Sequence, residues 1–415
     1  MRKMDKSVFI INHRKGYTII AADTRVQPIL GESESGVLSL QSCDNPGVKV
    51  WMEDTADRIL ILKKENPIVK KDYSDLWQPF KEKTYIPVQT RIIDVDSIWI
   101  RVVETSSQTL YYHADQSALL TTKWGQKAPW NAKMPQDYIT GGRCATGCAA
   151  VAVSQILRYF NKRGNYPTDL WHNIAIQSTT PVYNPFNYTW YLKTSLSKSN
   201  HKTNSSRWNS MPDTKLGSHT SYVSQLMLDI GNRINMFYSE NDSFVTGDSL
   251  QYSIPNLSQC GISSRFAPFN FSLAASNIEM GWPVIVSAFT SPTLPREGHV
   301  WIIDGCKDYS RTYTTTETFY CIHPDTMSGY SNIVSVYSYD EMMSIYPEAY
   351  SGMQTVSSVE YTMRNLHMNW GWDGDGNGNY DMLIDDDWIY SQGTSSVNLL
   401  YSRSMHYHIQ TSQLN

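Results

Sequence analysis

The chain has 415 residues, enough for two or three domains with sizeable cores. Its 35 Lys and Arg stand against 39 Asp and Glu, a net charge of −4, which argues against a nucleic-acid or membrane-surface partner. No apolar run approaches the ~18 residues a membrane span needs, so no transmembrane helix is expected.

Aromatic residues are abundant among frequent Ser, Thr and Asn, a composition that suits a secreted or cell-surface protein with aromatic clefts. The cysteines at 43, 144, 148, 260, 306 and 321 are too sparse for a small disulfide scaffold. Cys144 and Cys148 resemble half a zinc site. No second Cys/His pair at zinc spacing follows, so no metal and no cofactor is expected.

The basic start Met1–Lys6 leads straight into a strand pattern, with no signal-peptide core in between, so the expectation is either a cytoplasmic protein or a numbering that begins after a removed signal. Val8–Ile11 and Tyr17–Ala22 flank a turn at His13–Gly16 and predict a hairpin. More turn chemistry follows from Pro28 to Gly36. Asp54–Pro67 predicts a helix, residues 68–104 mix a polar helix-like piece with a strand at Val95–Val103, and 105–122, rich in Ser, Thr and Gln without a sustained period, predicts a linker. An exposed linker ahead of a nucleophile-bearing domain is where proteolytic activation is expected.

From Gly141 the chain passes from small residues into a helical pattern. Ala149, Ala152, Val153, Ile156, Leu157 and Phe160 recur on one face, with a stop at Asn161–Gly164. Thr146 is the expected N-cap, which places Cys148 in the first turn. Unpaired backbone N–H groups and the positive end of the helix dipole favour a thiolate there. Residues 191–220, polar and poor in apolar residues, predict a mobile surface insertion. Tyr222–Gly231 predicts a second amphipathic helix. Beyond 265 short strands dominate, among them Gly281–Phe289, Gly298–Gly305 and His367–Trp372.

A cysteine nucleophile needs a base, a group to hold that base, and donors for the oxyanion. His299 opens an apolar strand after Gly298 and is the candidate base. Asn369, whose amide can fix the imidazole tautomer, is the candidate orienter. Gln126, a side-chain amide just ahead of the nucleophile helix, is the candidate oxyanion donor.

From Trp124 to Pro167 and from Trp282 to Tyr380 the chain resembles the streptopain/interpain family of papain-like secreted cysteine peptidases. The residues that carry the resemblance are Thr146-Gly147-Cys148-Ala149-Ala150 with Gln155 and Tyr166-Pro167, then Gly298–Gly305, then Asn369–Trp372 with Gly374 and Asn377-Gly378. In addition Gly16–Asp23 and Pro28–Ser33 resemble that family's inhibitory prosegment.

The resemblance implies an α+β fold: a papain-like two-subdomain cysteine peptidase, one half helical and one half antiparallel β, at 113–415, behind a small α+β prodomain at 1–112. It implies a zymogen of a secreted or cell-surface endopeptidase that acts on proteins or peptides, with its signal peptide already removed. Cys148 is then the nucleophile, His299 the base, Gln126 the oxyanion donor and Asn369 the position facing the histidine. Trp370 and Trp372 wall the site, and the prosegment is an intramolecular inhibitor that holds the histidine out of register. The stretch 307–365 exceeds the family's usual short hairpin and counts as an insertion or an enlarged β region.

Two other functions fit parts of this pattern. One is a different Cys-His acyl-transfer enzyme, such as a cell-wall peptide amidase or a transglutaminase. The other is a non-catalytic, calcium-dependent surface binding protein. For the second, Asp373, Asp375 and Asn377 with Gly378 copy the start of an EF-hand loop, although the twelfth position is Ile384 instead of Glu.

Overall fold

A computed structural model describes residues 7–33, 35–39, 43–65, 73, 76–77, 99–165, 172–185, 188–202, 205–245, 262–289, 298–321, 333–336, 339–347, 350–381 and 404–411. Tyr166-Pro167, Cys260, Ile384 and the polar piece of 68–98, apart from 73 and 76–77, lie outside these residues.

In chain order the strands are β1 (Val8–Asn12), β2 (Tyr17–Ala21), β3 (Ile29–Ser33), β4 (Trp99–Gln116), β5 (His172–Asn184), β6 (Thr189–Lys202), β7 (Ile262–Pro268), β8 (Val284–Phe289), β9 (Gly298–Cys321), β10 (Ile333–Val336), β11 (Tyr350–Asn369), β12 (Gly378–Asp381) and β13 (Ser404–Thr411). The helices are α1 (Pro46–Glu65), α2 (Cys148–Lys162), α3 (Ser205–Ser210), α4 (Thr220–Arg233), α5 (Phe271–Glu279) and α6 (Tyr339–Ile345). The class is α+β.

The chain packs as two compact units. One comprises Met1–Lys71, Ala114–Lys307 and Arg364–Asn415; the other comprises Asp72–His113 and Asp308–Met363.

In the first unit strands pair in the order β1-β2-β3-β12-β11-β9-β8-β13-β7. β8 runs antiparallel to β9, with Ala288 opposite His299 and Ser287 opposite Val300. Beside this sheet lies the main core, where the apolar face of α2 meets α4 through Val153, Ile156, Leu157, Val223, Met227 and Ile230. Ile285, Val300 and Ile302 join the same core from β8 and β9. Alternation along β9 therefore sends 300 and 302 into the core and 299 and 301 to the other face.

In the second unit β4 pairs in parallel with β10, Ile333 opposite Trp99 through Val336 opposite Val102. Ile100, Val102 and Met342 form its buried cluster, with Tyr320, Met343, Ile345 and Tyr346 packed on it.

The structure departs from the sequence pattern at two polar stretches. Residues 105–116 are strand, not linker, because β4 continues to Gln116. Most of 191–220 is ordered secondary structure: β6 pairs with β5 from Thr189 opposite Asn184 to Lys202 opposite His172, and α3 follows. Thr-rich segments suit a pleated surface, and cross-strand bonds such as Ser178 Oγ to Ser195 Oγ at 2.7 Å do the pairing that hydrophobic periodicity does not reveal.

Candidate active site

Cys148 is the first residue of α2. Its N-cap is Gly147, not Thr146, at φ 85° and ψ 137° with no side-chain cap. Only glycine adopts this geometry without strain. A Cβ at 147 would also lie 2.6 Å from Met236 Cε and 3.1 Å from the Ser243 carbonyl oxygen. Thr146 is instead buried, its hydroxyl without a partner and its N–H donating to the Gln126 carbonyl at 3.0 Å. With no side chain capping the helix, the N–H groups of Cys148 and Ala149 are left to the cysteine sulfur, and Val300 N–H joins them. All three favour thiolate, yet burial outweighs them and pushes the thiol up to about 11.

His299 is 2% exposed, and burial pushes its imidazole down to about 4. Its Nε2–H donates to the Trp370 carbonyl at 2.8 Å, which leaves Nδ1 as the unprotonated nitrogen. Beside it Trp301 stacks at a 6.2 Å ring-centroid distance, and Trp370 lies tilted at 5.2 Å from Trp301. In this state the cysteine and the histidine are both neutral.

Asn369 is buried, and both ends of its amide are hydrogen-bonded. Oδ1 accepts from Gln155 Nε2 at 3.2 Å and from Gly371 N–H at 3.3 Å, while Nδ2 donates to the Thr122 carbonyl at 3.0 Å. The histidine's partner is thus the Trp370 backbone carbonyl, next to Asn369. Gln155, fully buried on the Cys148 face of α2, accepts from Trp124 N–H at 3.2 Å with its Oε1. One amide thereby ties α2 to Asn369 and to the segment that carries Gln126. Its signal in the sequence is a polar residue seven after Cys148 on an otherwise apolar helix face. Asp304, buried on β9, accepts from His367 Nδ1 on β11 at 2.6 Å, joining the strands that carry His299 and Asn369.

Trp370 is fully buried and Trp372 half-buried. Trp370 donates through Nε1 to the Gly376 carbonyl at 2.9 Å, and its backbone N–H goes to Asn377 Oδ1 at 3.1 Å. Asp373 accepts from Trp130 Nε1 and pairs with Lys215 at 3.4 Å. The loop 373–378 therefore spends two of its three EF-like side chains on bracing the tryptophans. Among the described residues no group of three or more His, Cys, Asp or Glu is placed to hold a metal. Cys144 is buried, a free thiol pushed up to about 12.

The N-terminal segment lies on this site. Asn45 caps α1, its Oδ1 accepting from Gly47 N–H at 3.0 Å and Val48 N–H at 3.3 Å, and its Nδ2 donates to the Asp375 carbonyl at 2.7 Å. A Cβ on Gly47 would overlap the Trp370 ring, so the first turn of α1 rests on the histidine–tryptophan pair. β3 pairs antiparallel with β12, Gly31 opposite Tyr380. Trp51 packs edge-on against Tyr380 at 5.0 Å and donates to the Asp381 carbonyl at 3.0 Å. Tyr17 and Tyr380 share a hydroxyl bond at 2.7 Å.

Residues 124–380 match the sequence pattern of the Peptidase C10 family. Streptopain of Streptococcus pyogenes is 24% identical over 243 residues, 58% of this chain and 52% of that protein. The same figures hold for streptopain of serotype M1. The chain thus spans about half the length of these curated relatives. The structure of a prointerpain A fragment from Prevotella intermedia superposes with a TM-score of 0.53 at 19% identity, covering 97% of this chain and 95% of that one. The two share a fold.

Proposed function

Since the chain belongs to the Peptidase C10 family, we propose that it is a cysteine endopeptidase made as a zymogen, with residues 1–112 as prosegment and 113–415 as peptidase. The observation that carries this reading is the uncapped start of α2, where backbone N–H groups, including that of Val300 beside His299, surround the Cys148 sulfur.

In the reaction His299 Nδ1 takes the thiol proton and the Cys148 thiolate adds to the scissile carbonyl. The Cys148 N–H and the Gln126 side chain hold the oxyanion. The imidazolium gives its proton to the departing amine, leaving a thioester. Water, deprotonated by His299, hydrolyses that thioester and restores the thiol. Trp370 and Trp372 exclude water from one side of the pair. Asn369 acts on the histidine from the next residue along, through the Trp370 carbonyl. Latency follows from the neutral thiol and imidazole. The prosegment holds the histidine out of productive register, and its departure rehydrates the site and lets the ion pair form. The substrates are proteins or peptides met outside the cell, in keeping with the composition.

Cys148→Ala should abolish both casein cleavage and self-processing. Surviving activity overturns the assignment. Activity confined to muropeptides or amine acceptors moves the protein to another class of Cys-His acyl transfer.

A further inference from the structure

We propose that residues 72–113 are a permanent part of the mature enzyme, held by the 308–363 segment, and that only residues 1–71 leave on activation. This rests on the zymogen reading and moves the end of the departing prosegment from residue 112 to residue 71. The two halves of the chain before the peptidase are built in different ways.

Residues 1–71 carry apolar residues of their own. Ile19 and Leu30 on the β1-β2-β3 meander and Ile59 and Leu62 on α1 are all fully buried. Ser7 Oγ donates to the Ala56 carbonyl at 3.2 Å, tying the start of the meander to the helix. Connections within this piece are short and local, and its strand pairing with the peptidase is the β3–β12 ladder of three residue pairs.

Residues 99–113 are organised otherwise. Within their unit β4 is hydrogen-bonded in parallel to β10 and also pairs with β9. Ile100 and Val102, two apart on one face of β4, are 0% and 2% exposed, and the cluster they enter is completed by Met342 at 0%. The remaining apolar partners, Tyr320, Met343, Ile345 and Tyr346, all come from the far side of the peptidase sequence. A cut anywhere between 113 and the nucleophile splits this cluster across two chains without dissolving it. Loss of β4 would expose Met342 and leave the edges of β9 and β10 unpaired, which sheets avoid. The occupant of that edge is therefore the chain's own strand.

The expected activation window narrows accordingly. Of 105–122, residues 105–116 lie in β4, while Ser117 and Ala118 just beyond are exposed. Cleavage there together with a second cut near Lys71, each the hydrolysis of one amide by one water, releases 1–71 and yields a two-chain enzyme without freeing the strand.

The test uses full-length Cys148→Ala protein, which cannot process itself. One foreign protease site is inserted after Lys71 and a second between Ser117 and Ala118, and the folded protein is cut to completion. The expected result is that fragment 72–117 elutes with 118–415 in native size exclusion, is found there by mass spectrometry at equal amount, and separates only in denaturant. Separate elution of 72–117, or aggregation of 118–415 after cutting, overturns the proposal. Self-processed wild-type enzyme should likewise contain peptides from 99–113, and their absence also overturns it. If wild-type protein cleaves neither casein nor itself, the zymogen reading fails, while the fragment experiment still decides whether the strand is held.

Discussion

Gly47 and His299 touch: a Cβ built on Gly47 would lie 2.7 Å from His299 Cδ2. A side chain at 47 thus cannot enter without moving the imidazole, the Trp370 ring or the first turn of α1. Overpacking of this kind costs about 1–3 kcal/mol. Gly47→Val should loosen the prosegment from the site and speed self-processing by roughly 10-fold, an effect of about 1.4 kcal/mol. The time course of processing on a denaturing gel reports it, and an unchanged or slower rate would show that α1 does not restrain the histidine.

Acid should loosen the zymogen. His299 and His406 are both held down to about 4 by burial, and neither ring nitrogen of His406 has a hydrogen-bond partner. A histidine whose folded pKa is depressed takes up protons more readily when unfolded, so its contribution is full above about pH 6.5 and is lost as pH falls toward 4. Each group contributes up to about 3 kcal/mol over that window. The melting temperature of Cys148→Ala protein should therefore fall between about pH 6.5 and 4. His406→Leu, which removes two unpaired polar atoms, should flatten part of that fall and raise the melting temperature at both ends. A pH slope identical in the two proteins would remove His406 from the account.

What was legible in the sequence follows from the kind of force involved. The apolar period from Ala149 to Phe160 revealed α2 because burial of one helix face is written in residue type. The same holds for the strand after His299, where Val300 and Ile302 face the core. The N-cap at Gly147 was not legible, because Thr146 satisfies the same composition rule and only the backbone turn decides between them. The Trp370 carbonyl had no signal, since every residue carries one. The continuation of β4 past Val103 and the whole of β6 hid for a third reason: they are rich in Ser and Thr and pair with strands distant in sequence or equally polar, and ladder bonds leave no hydrophobic period.

Gln155 makes a separable contribution. Its Nε2–H donates to Asn369 and its Oε1 accepts from Trp124 N–H, both bonds fully buried. A buried acceptor left unmet costs about 1–3 kcal/mol. Gln155→Leu should lower kcat by roughly 10–100-fold on a peptide substrate with little change in KM, because it disturbs the frame around His299 and leaves the substrate cleft intact. Gln155→Glu keeps the acceptor toward Trp124 but turns a carboxylate on Asn369 Oδ1, and should be at least as damaging. Because the histidine bonds the Trp370 carbonyl, Asn369→Ala should behave like Gln155→Leu and retain measurable turnover, unlike Cys148→Ala. A purely KM effect in either variant would place these residues in substrate binding instead.

Gly147 ties stability to the position of Cys148. Its φ of 85° and the 2.7 Å that would separate a Cβ there from Met236 Sδ are two distinct obstacles to any side chain. Strain of this kind costs about 1–3 kcal/mol, and the overlap adds to it. Gly147→Ala should lower the melting temperature by several degrees and, by shifting the first turn of α2, also lower the rate at which iodoacetamide alkylates Cys148 in processed enzyme. Met236→Ala in the same chain opens the space but leaves the backbone strain in place. Met236→Ala has a cavity cost of its own, so the double variant should lose less melting temperature than the two single losses added together, with the alkylation rate still low. Strictly additive losses in the two substitutions would mean that Met236 does not press on position 147, and that the glycine is required by backbone geometry alone.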